Sequence, residues 1–140
     1  MQKDKQLIFV TTSMFLIGVA YYWLFRNHIL ASDLLGIKLL SLKVPFKIDW
    51  LPSFIHQYVF IILTWYALNK KHKWLAIFIW LIINISFEIL QALPLKYIYF
   101  LPKVLIDYSQ YGTYSKLDML AIFVATIFAY LTINHHDKKE

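Results

Sequence analysis

The chain has 140 residues, of which 60% are hydrophobic and 19% aromatic, and its mean hydropathy is +0.57. Soluble globular domains are only about 45–50% apolar, so this composition indicates an integral membrane protein. The absence of cysteine excludes disulfides and thiolate metal sites. The net charge of +6 does not indicate a nucleic-acid partner, because the lysines are grouped at the ends of apolar segments, as topology signals are.

The first apolar segment covers residues 7–25 and follows a short head that contains two lysines. A secretory signal peptide would have an apolar region of only about 7–15 residues, followed by small residues at a cleavage site. Here the longer segment leads into an aromatic cluster, Tyr21, Tyr22, Trp23 and Phe25. Such a cluster is typical of a membrane interface, so we predict an uncleaved first span.

Residues 26–49 are too rich in charge to cross a bilayer, although leucine and isoleucine recur among the charged side chains. An apolar face at helical spacing would let this segment lie in the membrane interface. Gly36 and Pro45 argue against one uninterrupted helix there.

Three further spans are predicted, at residues 50–68, 74–93 and 117–133. A short basic turn joins the second span to the third. Between the third and fourth spans lies an aromatic loop, in which Pro102 would begin a short surface helix that continues to about Gln110.

The last span carries small residues at a spacing of four, which lets another helix approach closely. They also make a homo-oligomer conceivable through this ridge, which consists of Ala121, Ala125 and Ala129.

The predicted fold is therefore all-α: one domain over residues 1–140, built as a bundle of four transmembrane helices with interfacial segments. Four spans put both termini on one side of the membrane. The Lys and Arg counts of the two sides are equal. On the side of the termini, however, these charges lie in very short segments at span ends, where they determine orientation most strongly. We therefore expect a multi-pass protein of the cytoplasmic membrane with both termini in the cytoplasm.

The third span contains a polar stripe, because spacings of four and three place Asn84, Glu88 and Gln91 on one helical face. A carboxylate at membrane depth costs about 2.5–3.5 kcal/mol on insertion scales, so it normally faces a protein interior or a water-filled cavity. Glu88 is thus the best single pointer to function.

Polar residues of three spans are expected at one level of the membrane. His56 is near the start of the second span, Glu88 near the end of the third, and Asp118 at the start of the fourth. Because neighbouring spans alternate in direction, these residues fall in the same half, the outer half in our orientation. We predict a ligand-binding pocket beneath the aromatic loop, formed by Glu88, Gln91, His56, Asp118, Asn84 and Asp49.

Simpler interpretations remain for each of these residues. Glu88 would serve as a structural tie if it paired with Lys96 or His56. His56 alone would be an ordinary interhelical hydrogen-bonding residue. Asp118 alone would be an acidic residue in a first helical turn, favoured there by the helix dipole.

The arrangement Glu88-x-x-Gln91 at the end of a span, then a loop, then Asp118 at the start of the last span resembles the VanZ-like family of small bacterial membrane proteins. Residues 52–56 are similar to that family's histidine-bearing span, and the resemblance covers about residues 50–133. The sequence departs from the family pattern in the last span. An asparagine and glycines usual there are replaced by Ile122, Ala125 and Ala129, and an arginine usual in the preceding loop is missing.

This resemblance implies an accessory role in the cell envelope, linked to resistance against glycopeptide antibiotics such as the lipid-tailed teicoplanin. It implies no agreed biochemical activity. We therefore favour a non-catalytic protein that binds membrane lipid and an amphipathic or lipid-linked ligand, or a protein partner, without a cofactor.

Two other functions remain open. The first is a membrane-embedded enzyme acting on a lipid-linked substrate, with Glu88 or His56 as the acid–base group. No serine is expected beside a plausible base, and a metal held by His56, Glu88 and Asp118 is a less favoured version. The second is a proton-coupled transporter of small solutes with Glu88 as the relay. The lack of internal repeats and discontinuous helices argues against it.

Overall fold

The structure, a computed structural model, describes residues 2–25, 50–111 and 114–137. Within these ranges the protein is all-helical, as predicted. The helices are α1 (Gln2–Phe25), α2 (Leu51–Ala67), α3 (Lys73–Ala92), α4 (Leu95–Ile98), α5 (Lys103–Tyr111) and α6 (Lys116–Asp137). The predicted interfacial segment 26–49, with Asp49, lies outside the described residues.

Each predicted span corresponds to one of the long helices α1, α2, α3 and α6. Pro52 stands in the first turn of α2, where backbone amides have no partner within the helix. The short helix predicted after Pro102 is α5, whose first turn is closed by a 2.9 Å hydrogen bond from the Leu105 amide to the Pro102 carbonyl. The last helix extends beyond the predicted end at residue 133, to Asp137.

The long helices pack as an antiparallel bundle with α2 at its centre, in contact with α1, α3 and α6. A tight turn joins α2 to α3, and Asn69 and Lys70 in this turn have φ angles of 53° and 61°. Trp65 stabilises the turn from both sides: its carbonyl accepts a hydrogen bond from the Lys70 amide, and its indole donates to the Lys70 carbonyl at 3.0 Å.

The core of the bundle joins α2 to the last helix. Val59, Ile62 and Trp65 of α2 are fully buried, and so are Ala125 and Ala129 of α6. The alanine ridge therefore packs closely against helices of the same chain. The interface of a homo-oligomer would therefore have to use a surface other than this ridge.

One end of the bundle, here called the closed end, is held by ion pairs. The Lys70 ammonium lies 2.6 Å from the Asp4 carboxylate, and the His136 imidazole lies 3.2 Å from the same oxygen. The hydrogen bond from Lys70 is the main reason that the pKa of Asp4 is well below its ordinary value, and the Tyr66 hydroxyl adds to the effect while desolvation opposes it. The beginning of α1 and the end of α6 thus lie together, beside the turn between α2 and α3.

By length and composition, two of the described helices, α3 and α6, can cross a membrane. In their most apolar stretches only 22% and 33% of the residues, respectively, are buried, whereas the core helix of a soluble protein is mostly buried. Large apolar side chains such as Phe78, Ile82 and Leu131 lie at the surface instead. Both features support a membrane protein, and the crossing of the bilayer by α1 and α2 stays a prediction.

Candidate functional site

The opposite end of the bundle, here called the open end, contains a cavity of about 350 Å³. We call it the polar cavity. Helices α2, α3, α5 and α6 all contribute to its lining, which consists of Ser53, His56, Asn84, Phe87, Glu88, Val104, Leu105 and Ile122.

Two residues of the predicted stripe on α3 face this cavity. Asn84 and Glu88 are one helical turn apart, and their exposed fractions are only 8% and 7%. The side-chain carboxyl group of Glu88 therefore faces the protein interior rather than the surface. Gln91 is half-buried on the same helix and is not one of the lining residues.

His56 lines the polar cavity from α2 and is exposed. Its ring centroid lies 4.4 Å from that of Phe60 and 6.0 Å from that of Trp80. The imidazole is thus held between the aromatic side chains of two helices, at the same level as Glu88.

Asp118 is buried in the first turn of α6 and approaches the polar cavity through a serine. The Ser115 hydroxyl accepts hydrogen bonds from the amides of Leu117 (3.2 Å) and Asp118 (3.4 Å), which begins the helix with an N-terminal cap. The Asp118 carboxylate in turn accepts a 3.1 Å hydrogen bond from the hydroxyl of Ser53, a lining residue. The expectation that no serine lies beside a plausible base is therefore wrong. Residues 53 and 118 are distant in sequence, and only the packing of α2 against α6 brings them together.

A buried chain of hydrogen bonds leads from the polar cavity into the core, and the sequence analysis missed it. The Asn84 amide donates to the carbonyl oxygen of the Gln57 side chain, and the Gln57 amide donates to the Thr126 hydroxyl at 2.8 Å. Thr126 donates to the Ile122 carbonyl, also at 2.8 Å. Gln57 is fully buried, so its two bonds satisfy both ends of a polar group that would be costly to leave unpaired. The presence of an amide side chain within a predicted membrane span was the available signal.

The described α5 residues that line the polar cavity are aliphatic. These residues are Val104 and Leu105, whereas Tyr97 in α4 and Tyr99 and Phe100 after it are largely exposed. The aromatic residues are therefore available to a membrane interface rather than to the cavity.

Within the described part of the chain, no group of three His, Asp or Glu side chains is arranged to hold a metal ion. His56, Glu88 and Asp118 share one end of the bundle without forming such a group. What the arrangement offers chemically is a small polar space with a carboxyl group, an imidazole, an amide and a hydroxyl.

No protein-family model, curated protein or solved structure matches the chain. The similarity to the VanZ-like family stays a prediction from residues 50–133.

Proposed function

We propose that the protein is a four-span integral protein of the bacterial cytoplasmic membrane, with both termini in the cytoplasm and a VanZ-like accessory role in the cell envelope. In this proposal the polar cavity lies in the outer half of the membrane and binds an amphipathic ligand, a lipid or a lipid-linked molecule. A contribution to glycopeptide antibiotic tolerance would follow from that role.

The observation that carries the proposal is the position of Glu88. Its side chain is buried against a 350 Å³ cavity, at one level with His56 and Asn84. A carboxyl group in an apolar setting is costly and generally marks a functional site when it faces a water-filled space. A cavity of this size suits a head group or part of a small ligand.

The four-span arrangement is supported by the dimensions and surfaces of the first two long helices. At about 1.5 Å per residue, the 17 residues of α2 reach the lower limit for crossing the hydrocarbon core. The surface of α1 is apolar, with Phe9, Leu16 and Ile17 more than half exposed. Such a surface is suited to lipid rather than to water.

The test is lipid retention by purified Glu88→Gln protein, measured by native mass spectrometry after release from detergent. The amide keeps the size of the side chain and removes its charge, so we expect retention to fall about tenfold, the effect of one charged hydrogen bond. Ser86→Ala, an exposed position on the same helix, is the matched control and should behave as wild type. Equal retention by wild type and Glu88→Gln would overturn the proposal.

A second candidate function is a membrane-embedded enzyme with Glu88 or His56 as the acid–base group. Their presence in one cavity, together with the hydroxyl of Ser53, favours it. Purified protein would then convert a polyprenyl-linked or glycerol-based lipid substrate, and His56→Gln and Glu88→Gln would each abolish the conversion. Unchanged substrate in the presence of wild-type protein would exclude this function for the lipids used.

A further inference from the structure

A second space, here called the apolar cleft, lies between α1 and α2 and has a volume of about 360 Å³. The described residues that line it, apart from His56, are apolar side chains and one glycine: Phe15, Val19, Pro52, Ile55 and Phe60, with Gly18. Phe15 and Val19 are 37% and 49% exposed, so the cleft opens at the surface of the bundle.

His56 is a lining residue of both spaces. The apolar cleft and the polar cavity therefore adjoin at one imidazole ring, with apolar residues of α1 and α2 on one side and the polar groups of α3 on the other. An amphipathic molecule needs such a pair of adjoining surfaces, since its two parts have opposite solvent preferences.

The charge of the polar cavity determines which head group it fits. Glu88 lines it, and Asp118 is one hydrogen bond away through Ser53. Among the described residues that line it, neither lysine nor arginine occurs. Such a lining complements a head group that carries positive charge and N–H donors, because hydrogen bonds between an ammonium group and a carboxylate are stronger than neutral ones.

We propose that one aminolipid occupies both spaces, with an acyl chain in the apolar cleft and a primary ammonium group in the polar cavity beside Glu88. This inference rests on the proposed function and adds the class of ligand and its orientation. The ligand would enter sideways from the bilayer, on the exposed side of the cleft that Phe15 and Val19 line.

The test compares two lipids that have the same acyl chains and differ at the ammonium group, which carries three N–H donors in one and three methyl groups in the other. Purified wild-type protein is reconstituted in nanodiscs of equimolar dioleoyl-phosphatidylethanolamine and dioleoyl-phosphatidylcholine, and the lipids retained after detergent extraction are counted by native mass spectrometry. We expect the primary amine to be retained about tenfold more than the trimethylated one. Glu88→Gln should remove this preference.

The acyl-chain part of the proposal is tested at Val19, where a tryptophan would fill the apolar cleft. Val10 on the same helix is equally exposed, at 49%, and does not line the cleft, so Val10→Trp is the matched control. We expect Val19→Trp to reduce retention of both lipids about tenfold, and Val10→Trp to retain them as wild type does.

The outcomes separate the two proposals. If Glu88→Gln lowers retention but wild type retains both lipids equally, the proposed function stands and the aminolipid inference is wrong. If Glu88→Gln has no effect, both fail. Unchanged retention by Val19→Trp would mean that no acyl chain of the retained lipid occupies the apolar cleft, and this too would overturn the inference.

Discussion

The two ends of the bundle use similar polar residues in different ways. At the closed end, Asp4 and Lys70 meet in an ion pair at 2.6 Å, and Lys73 donates to Asn134 at 2.7 Å. At the open end, Glu88 and His56 line a space of about 350 Å³. Polar and charged residues near helix ends can therefore either form ion pairs between helices or line a cavity. The packing of the helices determines which of the two they do.

This difference between the two ends indicates where a ligand can bind. At the closed end, Trp65 and Tyr66 pack against the ring of His136. These three side chains occupy the volume between the ion-paired helices. At the open end, the aliphatic residues Val104 and Leu105 of α5 line the same cavity as the polar residues. We expect substitutions at the closed end to change stability and those around the polar cavity to change binding.

The largest expected effect is that of Trp65→Ala. The indole is fully buried and donates a hydrogen bond to the turn that joins α2 and α3, so its loss leaves a large cavity at the closed end. We expect the free energy of unfolding to fall by about 3–5 kcal/mol. Unfolding by SDS titration in detergent measures it. Trp74→Ala, at a position that is 53% exposed, is the control and should lose much less.

Gln57→Leu tests the buried chain of hydrogen bonds at the boundary between the two ends. The change leaves Asn84 without its acceptor and removes the donor to Thr126, so we expect a loss of about 1–3 kcal/mol in the free energy of unfolding. The same titration measures it, with the exposed Gln110→Leu as control. A loss as small as that of Gln110→Leu would mean that the network does not stabilise the bundle.

Gly18→Ala tests how closely α1 approaches α2 beside the apolar cleft. A Cβ atom at this position would lie 2.8 Å from Cγ2 of Ile55, which is too close. Overpacking costs about 1–3 kcal/mol, and the better helix propensity of alanine offsets about 1 kcal/mol of it. Ile55→Leu removes the clashing methyl group, so the double variant should recover part of the loss. Absence of any recovery would contradict the close approach.

The smallest effect concerns pH at the closed end. The folded pKa of Asp4 is below its ordinary value of 3.8, mainly because Lys70 donates to it. Its stabilising contribution is therefore complete above pH 3.8 and is lost as the pH falls below that value toward the folded pKa. Asp4 is also in direct contact with the ionisable side chains of His136 and Tyr66, which all the variants retain.

Unfolding experiments at about pH 6 and about pH 3 compare wild type with Asp4→Asn. We expect a smaller loss of stability on acidification in Asp4→Asn, and the same in Lys70→Met, which removes the main partner. An unchanged loss in both variants would show that the ion pair does not stabilise the closed end.

Much of the fold could be predicted from the sequence, because each long helix is an apolar segment bounded by charge, proline or aromatic residues. The helices α2 and α3 begin and end within one residue of their predicted limits. The contact partners were less predictable. Neither the hydrogen bond of Ser53 to Asp118 nor that of Gln57 to Thr126 is implied by spacing, since each joins residues far apart in the chain.

The level of the polar residues was predictable, and their exact partners were not. Alternating helix direction brings His56 and Glu88 to one end whatever the side-chain packing. Helix rotation then selects Asn84 and Glu88 for the lining and leaves Gln91 out of it. The sequence analysis placed the aromatic loop over the cavity, whereas the described α5 residues in its lining are Val104 and Leu105. Spacing could not decide this, because a loop of mixed composition can turn either set of residues inward.

The most direct measurement is an experimental structure of the purified protein that keeps its co-purified lipid. We expect ligand density in the polar cavity, next to the carboxyl group of Glu88 and within reach of His56. A Glu88 side chain directed toward the surrounding acyl chains, with His56 and Asp118 on separate sides of the bundle, would contradict it.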